Sequence, residues 1–280
     1  MKFRYLVFFV VLAVVVGVGV AMWRGSGPLP DPEGCTAELN GHQVALTTEQ
    51  AENATLITAI GVSRGLPARA VSIALATAYQ ESKIRNLPHG DRDSLGLFQQ
   101  RPSQGWGTAR EVRDTFHATN AFYDALEKIP EYRTMRITEA AQKVQRSGYP
   151  EAYEDHAPDA RTLASVLTGY SQGGRFTCVV HAPTTPGRAS QVMRQLDRAY
   201  DGLDIARTGS RQDLAVTVPA GTDGRRLGWS VAQFAVAHGV SWRQHAVSYS
   251  GKRWRTGRPS EDGWQSGGGA GRTTVRISMG

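Results

Sequence analysis

Features that mark several common classes of enzyme are missing from this chain of 280 residues. Its two cysteines are too few for a dense disulfide scaffold or for a structural zinc site with four cysteine ligands. Its seven histidines form no H-x-x-x-H pair and no H-E-x-x-H motif, and no Gly-rich phosphate loop is present. We therefore expect neither a metal site nor a cofactor.

Only one apolar run is long enough to cross a bilayer, which excludes a channel or carrier with several spans. Residues 5–23 carry no charged side chain, and the two basic residues before them favour a cytoplasmic N-terminus. We expect residues 1–24 to be a membrane anchor that contacts the membrane through residues 5–23, with the remaining chain outside the cytoplasm. Cleavage near Ala21, giving a secreted protein, is the alternative, although the run is longer than the apolar core of an ordinary signal peptide.

The two cysteines fit a location outside the cytoplasm. Cys35 follows the apolar run closely, and Cys178 lies where a long helical region ends. Thiols in an oxidising compartment pair readily, so we predict a disulfide between them. Two unrelated buried thiols are the alternative.

Composition divides the rest of the chain. Residues 25–45 are rich in Gly and Pro at their start and are predicted to be a tether, and residues 46–205 show mostly helical periodicity. Residues 206–224 are a second polar connector with Gly and Pro. Residues 225–280 combine a short amphipathic stretch with short strand-like runs, which predicts a small α/β module.

Positive charge is concentrated near the C-terminus. The net charge of the chain is +7, and residues 211–280 alone contain ten Lys or Arg against four Asp or Glu. This imbalance predicts an anionic envelope polymer as a partner of the module, while a solvated basic face is the alternative. The expected location argues against nucleic acid. We expect four tryptophans of this region to fill its core rather than stack on glycans: Trp229, Trp242, Trp254 and Trp264.

Glu81 is an unusual residue at the end of an apolar helical stripe. Small and apolar residues precede it at helical spacing, at Ala70, Ile73, Ala74 and Ala78. Burial and the negative end of the helix dipole both raise the pKa of a carboxyl group, and a protonated Glu near neutral pH is a general acid. Taken alone, the pattern also fits a Glu that faces water at a frayed helix end.

Three short motifs follow one another in the helical region. They are Glu81-Ser82, then G-L-F-Q at 96–99, then G-Y-S-Q-G at 169–173. Their order and spacing resemble the lysozyme-like superfamily, in particular the catalytic domain of the soluble lytic transglycosylase type, in a variant common in actinobacterial cell-envelope proteins. The resemblance covers about residues 46–200. It implies a mainly α fold: a lysozyme-like helical domain, preceded by one transmembrane helix and followed by the small α/β module.

The resemblance also implies roles for the residues around Glu81. Glu81 would act first as the acid and then as the base on peptidoglycan glycan strands. Ser82 would orient Glu81 or the substrate, and Gln99 would bind the N-acetyl group of the sugar or Glu81 itself. Gln100 is included among the substrate-binding residues.

Two more aromatic residues are candidates for contact with the sugar. Tyr170 would position Glu81 or stack on a sugar ring, but Ser171 stands where the family usually has Asn, which puts one hydrogen bond in doubt. Trp106 either stacks on a sugar or anchors its loop.

The resemblance favours a lytic transglycosylase, which needs a single Glu because the C6 hydroxyl of the substrate attacks the anomeric carbon. Ordinary glycosidases need two carboxyl groups, and Asp91 or Asp93 could be the second one in a hydrolytic muramidase. A non-catalytic cell-wall-binding protein and a secretion-apparatus component that recruits partners through residues 211–280 remain open.

Overall fold

The boundary between two parts of the chain falls after residue 32. The computed structural model describes residues 11–17, 19–20, 30–146, 151–209 and 213–280. Contacts group Met1–Pro32 as one unit and Glu33–Gly280 as another. Residues 11–17 and 19–20 are helical, but most of the predicted membrane segment lies outside the described residues. No helix within the described ranges has the length and apolar character needed to cross a membrane.

The expected mainly α fold with a transmembrane helix is wrong. About 47% of the chain is helical and 17% is strand, and the strands form two antiparallel sheets of three and six strands. The error has a local cause, since short strands in polar segments such as residues 34–46 and 204–217 lack a long alternating pattern.

The second unit, Glu33–Gly280, contains helices and strands in both its N-terminal and its C-terminal part. The helices are α1 Thr48–Ser63, α2 Ala68–Ser82, α3 Ala109–Arg113, α4 Thr115–Glu127, α5 Ile137–Gln145, α6 Ala157–Leu167, α7 Ala189–Tyr200, α8 Gly221–Ala237 and α9 Gly239–Trp242. Short 3-10 helices span Pro102–Gln104, Glu154–His156 and Arg258–Ser260. The strands are β1 Gly34–Leu39, β2 His42–Leu46, β3 Phe176–Val179, β4 Asp204–Thr208, β5 Asp213–Thr217, β6 Ala246–Tyr249, β7 Lys252–Arg255, β8 Gln265–Ser266 and β9 Thr274–Ser278.

Helix α2 is the central helix of the helical region. Every residue from Ala70 to Ala78 is buried, and the helix packs against α1, α4, α5 and α6. The apolar stripe expected on one face is therefore part of a helix that is enclosed on all sides. The preceding helix begins with a capping box, in which the backbone N–H of Gln50 donates to Thr47 Oγ1 and the N–H of Thr47 donates to Gln50 Oε1.

The smaller sheet has the order β2-β1-β3 and contains both cysteines. Cys35 on β1 is opposite Cys178 on β3, and the two form the predicted disulfide. Strands β1 and β2 form a hairpin within the segment predicted as a tether. The covalent bond therefore joins neighbouring antiparallel strands rather than distant loops.

The larger sheet has the order β4-β5-β9-β6-β7-β8. Its first strand, β4, spans the end of the predicted helical domain and the start of the segment predicted as a linker; β5 lies within that segment, and the other strands belong to the predicted C-terminal module. Helix α8 packs against α1 and β3. Trp254 Nε1 donates to the carbonyl oxygen of Cys178 at 2.9 Å, and Trp264 Nε1 donates to that of Phe176 at 2.8 Å. The C-terminal residues are thus in direct contact with the smaller sheet.

Candidate functional site

Glu81 lies in the last turn of α2, where the chain leaves the core. Lys83 and Ile84 both have positive φ, at 57° and 58°, and this left-handed backbone ends the helix immediately after Ser82. The Glu81 side chain is partly buried, because the helix that carries it is enclosed by its neighbours. The carboxyl group is therefore held at the boundary between the protein interior and solvent.

Opposing effects act on the Glu81 carboxyl group. Burial raises its pKa, while hydrogen bonds from Tyr153 and Gln145 and the positive charge of Arg101 lower it; burial is the largest of these, so the pKa lies above its ordinary value. The Tyr153 hydroxyl donates to Glu81 Oε1 at 2.6 Å, and Tyr153 is itself fully buried. The raised pKa has the direction expected from the sequence, and the two donors fix the orientation of the group.

The carboxyl group opens onto a cleft of about 440 Å³. The cleft is lined almost entirely by polar and charged side chains, with one indole ring. Its walls are Glu81, Asp91, Arg92, Ser94, Gln99, Gln100, Arg101, Gln104, Trp106, Gln145 and Arg146. Such a lining suits a polar ligand rich in hydroxyl and amide groups better than an apolar one.

Ser82 ties the end of α2 to the turn that carries the G-L-F-Q motif. Its hydroxyl lies 2.7 Å from the carbonyl oxygen of Leu97 and accepts from the N–H of Arg85 at 3.1 Å. Because Ser82 is buried and does not line the cleft, it positions the turn rather than the substrate. Gly96 has φ of 77°, and a Cβ atom there would lie 2.3 Å from the carbonyl oxygen of Val112, so the turn requires glycine.

The two glutamines after this turn have different surroundings. Gln99 lines the cleft, and its side chain packs against Gly90. A Cβ atom added to Gly90 would lie only 1.7 Å from Gln99 Oε1. Gln100 is almost fully buried and donates from Nε2 to the carbonyl oxygen of Ala118 at 3.1 Å. Gln99 therefore borders the cleft while its Nε2 donates to the carbonyl oxygen of Gly96 at 3.2 Å, and Gln100 mainly anchors the wall of the cleft.

Trp106 also lies in the cleft wall. Its ring is partly buried, and its carbonyl oxygen is 3.2 Å from Nε2 of His117. The contact with His117 holds the loop in place, and the ring borders the cleft. Both roles expected from the sequence are therefore compatible with its position.

Tyr170 is not brought to the cleft. It is 52% exposed, lines a separate groove, and lies with the Arg226 guanidinium carbon 4.0 Å from its ring centre. Its neighbour Ser171 bonds to Ser165 through both the hydroxyl and the backbone N–H. The segment 169–173 also has the spacing G-x-S-x-G, but it follows a helix instead of a strand and places Ser171 against another serine, unlike a serine nucleophile.

The two candidate second carboxyl groups also differ in position. Asp91 lines the cleft and pairs with Arg101 at 2.8 Å. Asp93 accepts hydrogen bonds from the N–H and hydroxyl of Ser103, which lower its pKa, and it does not line the cleft. Only Asp91 is therefore placed to face a bound substrate.

Three residues around Glu81 have no counterpart among the sequence candidates. Tyr153 precedes a short 3-10 helix, Gln145 ends α5, and Arg101 follows the G-L-F-Q turn. Gln145 Nε2 also donates to the carbonyl oxygen of Phe98 at 2.7 Å, so it links the turn to Glu81. The amphipathic periodicity near residues 138–147 predicts a helix there but not which polar residue points inward.

Within the described part of the chain, no group of three or more His, Cys, Asp or Glu side chains is arranged to hold a metal ion. No protein-family model matches the chain, and no curated protein matches it either. We therefore consider the chemistry that the side chains of the cleft can perform.

Proposed function

We propose that this protein is a peptidoglycan lytic transglycosylase that acts outside the cytoplasm. It would cleave the β-1,4 bond between N-acetylmuramic acid and N-acetylglucosamine with Glu81 as its only acid and base. One observation carries the proposal: a partly buried carboxyl group with a raised pKa opens onto a polar cleft and is oriented by Tyr153. The sequence resemblance gives the substrate class, and two of its three motifs, Glu81-Ser82 and G-L-F-Q at 96–99, lie together at the cleft.

In the first step the protonated Glu81 donates its proton to the glycosidic oxygen. The bond from the anomeric carbon to that oxygen breaks, and the N-acetyl oxygen of the muramic acid residue assists from the other side. The high pKa produced by burial favours this step, since it keeps a larger fraction of Glu81 protonated. The N-acetylglucosamine side of the strand leaves with the proton on its new hydroxyl group.

In the second step the ionised Glu81 accepts the proton of the C6 hydroxyl. The C6 oxygen attacks the anomeric carbon, displaces the N-acetyl oxygen and closes a 1,6-anhydro ring. Hydrogen bonds from Tyr153 and Gln145 stabilise the carboxylate that exists between the two steps. The same group therefore ends the cycle protonated.

A hydrolytic muramidase is a second candidate, because Asp91 lines the cleft. A hydrolase needs a second carboxylate as nucleophile or as base for water. The ion pair of Asp91 with Arg101 favours the single-Glu mechanism, since Arg101 holds the carboxylate in the wall of the cleft. Asp93 is less suited to this role than Asp91, because it does not line the cleft and its carboxylate accepts two hydrogen bonds from Ser103.

Digestion of purified peptidoglycan followed by mass spectrometry separates these mechanisms. A transglycosylase releases products with 1,6-anhydro ends, which are lighter by one water than the hydrolysis products. Glu81→Gln must abolish release, and Asp91→Asn must leave it within about threefold. Products with reducing ends, lost in Asp91→Asn, establish the muramidase instead. Binding without products contradicts both and favours a wall-binding protein.

A further inference from the structure

The Glu81 cleft continues past Trp106 into a second cavity of about 670 Å³. Four residues line both cavities: Gln104, Trp106, Gln145 and Arg146. The remaining lining of the second cavity is Ala125, Lys128, Ile129, Lys143 and Val144. We call this second cavity the basic arm of the cleft.

The basic arm has charge of one sign. Lys128, Lys143 and Arg146 are exposed, and no Asp or Glu among the described residues lines the cavity. None of the three makes an ion pair with another of the described residues, whereas Arg64, Arg101, Arg136 and Arg198 all do. Cations collected around one concave surface without a neutralising carboxylate favour an anionic ligand.

Part of this charge has a local explanation. Lys143 is in the last turn of α5, Arg146 caps that helix, and Lys128 caps α4. Cations at helix C-termini interact favourably with the helix dipole. That effect does not require both helix ends to face the same cavity beside Trp106, however, and it leaves the ammonium groups free to bind a ligand.

We propose that the basic arm binds the carboxylates of the stem peptide on a glycan strand that lies in the Glu81 cleft. This inference rests on the proposed function and adds what the enzyme recognises besides sugar. The sugar backbone offers neutral hydroxyl and amide groups, so the stem peptide supplies the negative charge next to the bond that is cleaved. A phosphodiester-linked polymer on the strand has the same charge and is distinguished by the test.

Gln145 connects the two cavities chemically. It lines both, and its side chain bonds to Glu81 and to the carbonyl oxygen of Phe98. A peptide held at Lys128 and Lys143 would therefore lie next to the residue that orients the catalytic group. The two lysines contact substrate but not the reacting atoms, so their loss affects KM rather than kcat.

The test compares the double variant Lys128→Gln/Lys143→Gln with the parent and with Arg207→Gln. Arg207 is an exposed cation on the edge strand β4 and lines neither cavity. Three substrates are used: sacculi freed of phosphodiester-linked polymers by hydrogen fluoride, untreated sacculi, and sacculi freed of stem peptides by an amidase, whose newly exposed lactyl carboxylates are then converted to amides with carbodiimide and ammonia. Melting temperatures are recorded for all variants, because the lysines also stabilise helix ends.

We expect the double variant to raise KM about five- to tenfold on both peptide-bearing substrates and to leave KM unchanged on peptide-free glycan. The difference in KM between the double variant and the parent must become smaller with added salt, and Arg207→Gln must have the same KM as the parent. A KM effect that disappears with hydrogen fluoride treatment assigns the arm to phosphodiester polymers and overturns the peptide assignment. If the double variant and the parent have equal KM on all three substrates, the inference is overturned altogether.

Failure of the proposed function has a separate signature. Binding of Glu81→Gln to intact sacculi is measured with and without the two lysine substitutions. If the parent cleaves nothing but the lysine substitutions still weaken binding to peptide-bearing sacculi, the basic arm stands and the enzymatic role falls. If the parent cleaves and the lysines have no effect, only the inference about the arm falls.

Discussion

Two segments with similar sequence signatures have different surroundings in this structure. The G-L-F-Q turn at 96–99 is joined to α2 by Ser82 and forms a wall of the Glu81 cleft. The G-Y-S-Q-G segment at 169–173 faces the start of α8: a Cβ atom on Gly169 would lie 2.2 Å from the carbonyl oxygen of Arg226. A motif therefore locates a site only when the contacts that place it are also known.

The largest expected difference between the two segments is in catalysis. Glu81→Gln should lower the rate of glycan cleavage by about 10²- to 10⁴-fold, as the loss of a general acid does. Tyr170→Ala should leave the rate within about twofold of the parent, because Tyr170 does not line the cleft. Initial rates on the same peptidoglycan preparation measure both. A Tyr170→Ala enzyme as defective as Glu81→Gln contradicts the separation.

The stability of Glu81→Gln should depend on pH in a defined direction. Burial raises the pKa of Glu81 above its value in the unfolded chain, so ionising this group costs folding free energy as the pH rises through the raised pKa. Gln removes that cost. The melting temperature of the variant relative to the parent should therefore increase from pH 4 to pH 8, and a constant difference would show that burial of the charge is unimportant.

Stability measurements test whether the C-terminal residues unfold together with the part of the chain that carries the Glu81 cleft. Trp254 is fully buried and donates to the carbonyl oxygen of Cys178, so Trp254→Ala should cost about 3–5 kcal/mol of unfolding free energy. Chemical denaturation followed by fluorescence and by residual cleavage measures it. One transition for both signals is expected. A fluorescence change that occurs while cleavage is still intact supports the predicted separate module at 225–280.

The disulfide should contribute slightly less to the free energy of unfolding than the Trp254 side chain does. It closes a loop with a sequence separation of 143 residues, and removal of such a bond typically costs about 2–5 kcal/mol. The double variant Cys35→Ala/Cys178→Ala measures this cost without leaving a free thiol. Parent protein in a reducing agent is the matched control and should lose a similar amount, whereas an unchanged midpoint in both samples argues against a contribution from the bond.

The smallest expected effect is at Tyr153. Its hydrogen bond lowers the pKa of Glu81, so Tyr153→Phe raises that pKa further and the protonated acid persists to higher pH. The decrease of kcat on the alkaline side of its pH profile should therefore begin at a higher pH, while the maximal kcat falls about tenfold. If kcat falls but its alkaline decrease stays at the same pH, Tyr153 has a packing role only. Tyr170→Phe is the control and should change neither quantity.

Local signals in the sequence were sufficient for some parts of the structure. The capping box at Thr47 depends on residues three positions apart, and the pairing of Cys35 with Cys178 depends on a single pair. For Glu81, helical spacing allowed two outcomes, a partly buried carboxyl group with a raised pKa or a Glu that faces water at a frayed helix end, and the structure has the first.

Other parts depend on contacts between distant residues. The hairpin at 34–46 acquires its third strand from residues 176–179, and β5 pairs with β9 across the whole C-terminal region. Tyr153 reaches Glu81 over a sequence separation of 72 residues. No local pattern distinguishes such a tyrosine from one that only fills the core, so neither the larger sheet nor the residues that orient Glu81 could be predicted.

The disulfide has a consequence for resistance to proteases. Glu81, Gln145 and Tyr153 all lie between Cys35 and Cys178, so the covalent loop contains the whole chemistry of the cleft. A single cut by a protease anywhere in that loop leaves one covalently joined molecule. The two fragments stay paired through β1 and β3, and they separate on electrophoresis only after reduction. A nicked protein of this kind can therefore keep both walls of its cleft together.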